Sequence, residues 1–193
     1  MKVIIMNKRK LEVFITLIVL MAILFGVGDI IKVHLKPVSL IQNNVKALTE
    51  YKALEGGFTY KLPSDWTTNL KSFPGNQIIY HNDFIANDLL TSGFVQVWRE
   101  QENLKEFLDR SREVAEKQNT IKSYKIKDIK VKNRESYAIK YVISSDKVDY
   151  IAHEYFIKYN KGFVRLAFFS TYDNFKEGMV NLYESILETV SLQ

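Results

Sequence analysis

An α+β fold is what this 193-residue sequence predicts: an antiparallel sheet with a helix over each face, behind one N-terminal transmembrane helix. Three observations carry that expectation. An uncharged run from Val13 to Gly28 follows Lys8, Arg9 and Lys10. Four strand-like runs between Tyr124 and Thr171 are joined by connections short enough for hairpins, which forces antiparallel pairing. Two further stretches carry their apolar residues at helical spacing. The late strands are apolar on both sides: Tyr137, Ile139, Tyr141 and Ile143 share one face, while Val164, Leu166 and Phe168 oppose Ala167 and Phe169. A sheet of that kind needs cover on both faces.

Residues 1–10 read as a basic cytoplasmic tail and residues 11–31 as a signal anchor. As a helix the uncharged run rises ~24 Å, against the roughly 30 Å hydrocarbon layer of a bilayer. Leu11, Ile30 and Ile31 extend it, with Glu12 and Asp29 near the two interfaces. Gly26-Val27-Gly28 matches a signal-peptidase site poorly, there is no cysteine to acylate, and Glu12 stands wrongly for a prepilin leader. Lys2, Lys8, Arg9 and Lys10 precede the span, whereas Lys32 and Lys36 follow it, so the N-terminus is expected in the cytoplasm and residues 32–193 outside. The net charge is +5, but residues 1–36 contribute +4 of it. The outer domain is nearly neutral, which argues against a nucleic-acid partner.

Residues 32–56 are expected to form a stalk helix. Val38, Ile41, Val45, Leu48 and Tyr51 recur at spacings of three and four, with Pro37 suited to the start and Gly56-Gly57 to the end. The stripe can pack on the domain or pair with a partner helix. Residues 57–193 then make one domain. Phe58 to Pro63 alternates as a strand, and Ser64-Asp65-Trp66 turns the chain. Gln77 to His81 and Gly93 to Arg99 read as further strands, with residues 82–92 a loop between them. Leu104, Phe107, Leu108, Ser111, Val114 and Ala115 mark one face of a helix near 103–118, with Asn103 as its cap. Strands follow near 124–131, 136–144, 148–159 and 163–171, connected by 132–135, 145–147 and 160–162. A last helix is expected over 173–190, capped by Asp173 or Asn174, burying Phe175, Met179, Leu182, Ile186 and Val190.

At Gly57-Phe58-Thr59-Tyr60-Lys61-Leu62-Pro63-Ser64-Asp65-Trp66 the chain resembles the opening of the PsbP/Mog1-like domain: an aromatic strand, a Pro, a short polar turn and a Trp. The order of elements agrees over residues 57–192. The resemblance implies an α-β-α sandwich around an antiparallel sheet, used in that superfamily mainly to bind other proteins. The chain departs from lumenal members in carrying an anchor that looks uncleaved.

Composition excludes a cysteine nucleophile and leaves His34, His81 and His153 as imidazole bases. No nucleophile elbow, His-Glu-x-x-His pair or Gly-rich phosphate loop occurs. His34 falls just beyond the span. His153 shares a strand face with Ile151 and Tyr155 and reads as a structural histidine. The stretch from His81 to Asp88 offers His81, Asp83 and Asp88 as metal ligands, but without the oxygen spacing of a calcium loop, so no metal, cofactor or catalysis is expected. Eleven Tyr, twelve Phe and two Trp fit either a tyrosine-rich core or a partner surface built from Tyr80, Tyr150, Tyr155, Tyr159 and Tyr172. The expected function is a single-pass, extracytoplasmic binding or accessory module for a protein partner; the alternative is a binder of a small ligand, metal ion or cell-wall polymer.

Overall fold

The computed structural model describes residues 47–193 apart from 100–102, 119, 146 and 161. The basic tail, the expected anchor and the start of the stalk lie outside the described residues. Among those described, no helix is long and apolar enough to cross a membrane.

Among the described residues ten strands and two α-helices follow in order. A three-stranded sheet holds β1 (Leu48–Ala53), β2 (Phe58–Pro63) and β10 (Ser191–Leu192), with β2 in the middle. The main sheet holds β3 (Thr67–Leu70), β4 (Ile78–Ile85), β5 (Ser92–Arg99), β6 (Thr120–Val131), β7 (Arg134–Ser145), β8 (Val148–Tyr159) and β9 (Gly162–Thr171). Its order is β3-β4-β5-β9-β8-β7-β6, antiparallel throughout. Helix α1 (Leu104–Gln118) follows β5, and α2 (Glu177–Glu188) follows β9.

Strand alternation assigns each residue of the main sheet to a face. Val164, Leu166 and Phe168 of β9 join Val95, Val97, Tyr155 and Ile157 in a core closed by Met179, Leu182, Tyr183 and Ile186 of α2 and by Phe58, Tyr60 and Leu62 of β2. The Phe168 and Tyr183 rings stack 4.3 Å apart. Each fully buried large side chain in such a layer stabilises by about 1.5–3 kcal/mol. The opposite face carries Phe163, Phe156, Tyr137 and Ile139, covered by Leu104 and Leu108 of α1. The Asn103 carboxamide accepts from the Lys105 N–H at 2.8 Å, capping α1 as the sequence predicts. Val114 points outward, 46% exposed, instead of into the sheet.

Four expectations are corrected. Residues 48–53 form a strand instead of the end of a stalk helix: Tyr51 lies opposite Tyr60 with its ring stacked at 5.4 Å, and Ala53 is buried. A spacing of three between Leu48 and Tyr51 fits a helix, but pairing with β2 satisfies a whole edge of backbone donors and acceptors. Gly56, at φ 93°, ends the tight connection to β2 that had resembled a helix stop. Residues 82–85 continue β4 because their polar side chains are partnered inside the fold. Arg134 and Glu135 belong to β7, so Lys132 and Asn133 alone make the hairpin, both at positive φ as a two-residue type I′ loop requires. Lastly, Tyr172–Asn174 is a separate 3₁₀ turn, and α2 starts behind Lys176 with no side-chain cap, so neither Asp173 nor Asn174 caps it.

Candidate functional site

Helix α1 covers only part of its face of the sheet. At the end formed by β3, β4, β5 and β9 lies a shallow groove of about 420 Å³, walled by Thr67, Asn69 and Phe169 and floored by Asp83, Gly93 and Phe94; no residue of α1 lines it. Phe94 and Phe169 are half-buried with ring centroids 5.9 Å apart. Ile85, 37% exposed, and Phe73, 43% exposed, add apolar surface beside them.

A hydrogen-bonded row runs beneath these rings. Trp98 Nε1 donates to Gln96 Oε1 at 2.8 Å, and indole nitrogen can only donate, which fixes the orientation of the amide. Gln96 Nε2 therefore faces His81 Nδ1 at 2.8 Å as the donor. The His81 ring then carries its proton on Nε2, 2.6 Å from Asp83 Oδ1. Lys71 Nζ pairs with the other carboxylate oxygen of Asp83. Burial works against the charged form of Asp83, yet the hydrogen bonds from Lys71 and His81 outweigh it and hold this carboxyl below its ordinary range. Both imidazole nitrogens are engaged, so the row fixes its side chains in place.

Gln96 lies directly opposite Arg165 on β9. The Arg165 guanidinium sits over the Phe94 ring at 4.9 Å and the Phe156 ring at 5.4 Å. It donates through Nε to Glu154 Oε2 at 2.9 Å and through Nη2 to Oε1 at 2.8 Å. The Tyr141 hydroxyl donates to the same Oε1 at 2.7 Å. Burial, then the Glu154 carboxylate, pushes the Tyr141 hydroxyl far above the ordinary phenol range, so it stays a donor. The polar row continues in this way from the open end to the space under α1.

The residues singled out from sequence fall in several places. His81 and Asp83 meet in this row. Asp88 does not join them: it lies in the turn after β4, where its carboxylate accepts from the Leu90 N–H at 3.0 Å, beside Lys176 and Met179 of the α2 end. Among the described residues no three His, Cys, Asp or Glu side chains gather closely enough to hold a metal ion. Tyr155 and Tyr159 are core residues, and the hydroxyl of half-buried Tyr80 lies 2.9 Å from that of Tyr60. Tyr150 is half-buried, and Tyr172 stands in solvent. His153 is buried between Phe175 and Tyr183. The open end itself, made by Phe94, Phe169, Ile85 and Phe73, escaped sequence reasoning. Its signal was present, since Phe94 and Phe169 alternate out of phase with Val95, Val97, Leu166 and Phe168 of the core covered by α2.

No protein-family model matches the chain, and no curated protein matches it by sequence. Solved structures do. The cyanobacterial PsbP, CyanoP, of Synechocystis sp. PCC 6803 superposes with a TM-score of 0.55 at 9% identity, over 76% of this chain and 93% of that one. This chain has the PsbP/Mog1-like fold. The Ran-binding protein Mog1p of Saccharomyces cerevisiae has the same fold and agrees at a TM-score of 0.53 and 10% identity, over 76% of this chain and 95% of that one. A protein of unknown function from Pseudomonas aeruginosa gives 0.50 at 16% identity, over 76% and 97%. Across PsbP/Mog1-like structures at such identities the architecture is shared while side chains are not, so the open end and its polar row are described from this chain alone.

Proposed function

We propose that the chain is a membrane-anchored, extracytoplasmic binding module that engages a protein partner through the open end of its sheet, without catalysis. The observation that carries this reading is the apolar group made by exposed Phe73 and Ile85 with half-buried Phe94 and Phe169, backed by side chains that hydrogen bonds hold in place. A rigid, partly aromatic surface rimmed by Asn69, Lys71 and Asp83 has the anatomy of a protein interface. That the yeast neighbour is a Ran-binding protein adds support of the same kind. The anchored placement rests on the uncharged run 13–28 and the basic residues before it.

The test is photo-crosslinking in cells with the full-length chain, a benzophenone side chain replacing Ile85 or, as a control, Val114 on the outer surface of α1. One protein captured from position 85, absent from position 114 and lost when residues 1–28 are exchanged for a cleavable signal, is the expected result. Equal capture from both positions, or none from either, counts against the reading.

A further inference from the structure

Under α1 the side chains of the described residues leave a space unfilled. The inward positions of the helix are Leu104, Leu108, Ser111 and Ala115. The two leucines reach the sheet, but the serine and alanine that follow are too short. A cavity of about 260 Å³ remains between them and Tyr124, Tyr141 and Ile143 on the sheet. For comparison, an engineered apolar cavity of roughly 150 Å³ stays dry and admits benzene. Glu154, Arg165 and Tyr141 close one end.

We propose that this cavity is a binding site for a small planar molecule of one or two rings that carries a single hydrogen-bond-accepting group. Size and lining set the first part: Ala115, Ile121, Ile143 and the Tyr124 and Tyr141 rings, stacked 6.4 Å apart, offer flat apolar walls. The closed end sets the second. Glu154 engages Nε and Nη2 of Arg165, two of the five guanidinium N–H groups, and no other hydrogen bond from this guanidinium occurs among the described residues. The Glu154 carboxylate already balances the charge, so a carbonyl or a single carboxylate oxygen suffices as the acceptor. Arg112, over the Tyr124 ring at 4.7 Å and paired outward with Glu116, stands at the rim.

Structure alone does not account for both features together. A void forfeits dispersion contacts on its walls, and a carboxylate 3% exposed in an apolar layer is not kept for stability, since apolar residues of similar volume serve as well or better. Here the two lie side by side, and a ligand of this class removes the first cost while using the second. The site is separate from the open end proposed for a partner, and it stands whether or not that proposal does.

Trp98 lines the cavity and is one of only two tryptophans. In a Trp66→Phe background of the full-length chain it becomes the sole indole reporter, and 4-nitrobenzoate, a planar quencher with an acceptor carboxylate, is the probe. Saturable quenching is expected, together with a probe-dependent rise in melting temperature. Filling the space with Ala115→Phe should weaken binding by at least about tenfold while leaving the melting temperature without probe the same or higher. Ser111→Leu serves equally if Ala115→Phe does not fold. Quenching that stays linear with concentration overturns the proposal, as does saturable quenching unchanged in the filled variants.

Discussion

Strand β9 passes between two differently finished surfaces, and its alternate residues record the difference. Val164, Leu166 and Phe168 point into a layer that α2 and the small sheet seal over β9, and all three are fully buried, while spaces remain farther out on this face, one lined by Trp66, Asp88 and Met179 and another by Lys140, His153 and Tyr155. Phe163, Arg165 and Phe169 point the other way, where Phe163 meets α1, Arg165 borders a cavity, and Phe169 lies in an open groove. On the first surface stability comes from apolar area. On the second, cover is incomplete and hydrogen bonds fix the side chains. One sheet can therefore be held together chiefly from one side of β9 while the other side of that strand borders unfilled space.

The strongest way to break that arrangement acts where the sealed side tolerates nothing. A Cβ at Gly93 would lie 1.9 Å from the Ala167 carbonyl oxygen and 2.6 Å from Cζ of Phe84. The first clash is with backbone of the neighbouring strand, so no rotamer relieves it. Gly93→Ala is expected to destabilise by at least about 4 kcal/mol in urea unfolding, and trimming Phe84 to Leu should not rescue it. A stable Gly93→Ala domain would mean that β5 and β9 are not packed as described.

The next effect belongs to the other side. Arg165→Met leaves Glu154 buried with only Tyr141 as a partner, and a loss of about 3 kcal/mol is expected. The double variant Glu154→Leu/Arg165→Met should recover most of that loss, because the pair is replaced by apolar volume. If the double is as unstable as the single, the ion pair supports the fold itself and the contrast between the two surfaces fails.

These surfaces were unequally legible in the sequence. The meander β6 to β9 alternates apolar residues, and the closing helix has a clear apolar stripe, so both could be read directly apart from their ends. The second half of β4 could not. Asn82 and Asp83 look like the start of a loop because polar groups are expected outside, whereas here Asn82 donates to Tyr60 and Asp83 accepts from His81 within the fold. The cavity was hidden for a simpler reason: Ser111 and Ala115 keep the helical period and show nothing of what they fail to fill. Of the five candidate tyrosines two are core, two are half-buried and only Tyr172 stands in solvent, since exposure of an aromatic depends on where cover stops, and no local pattern records that.

Protonation separates the surfaces by a smaller amount. His153, on the sealed side, is 8% exposed and has no hydrogen-bond partner at Nε2 among the described residues. Burial first, and then Lys140 directly opposite on β7, depress its pKa to about 4, against a small upward influence from Glu177. The unfolded chain therefore binds this proton more readily than the native one, so stability is full above about pH 6.5 and falls on acidification toward pH 4. The loss should be on the order of 2 kcal/mol between pH 7 and 4 by denaturant titration. His153→Gln should flatten that segment of the profile, and an unchanged slope in the variant would assign the acid sensitivity elsewhere.

The smallest expected effect makes the sharpest comparison, because it sets two consecutive residues against each other. Phe84 turns into the sealed layer at 3% exposure, stacked 5.1 Å from Trp66, while Ile85 turns to the open end at 37%. Phe84→Leu should cost about 1–2 kcal/mol, since the cavity it leaves is enclosed. Ile85→Thr keeps the branched side chain suited to a strand and removes apolar surface that is partly in water already, so a loss smaller than at Phe84, below about 1 kcal/mol, is expected. Comparable losses at both positions would mean that the open end is packed as tightly as the sealed one. A silent Ile85→Thr that nevertheless reduces crosslinking through neighbouring Phe94 would instead locate the exposed apolar surface in binding, because folding does not need it.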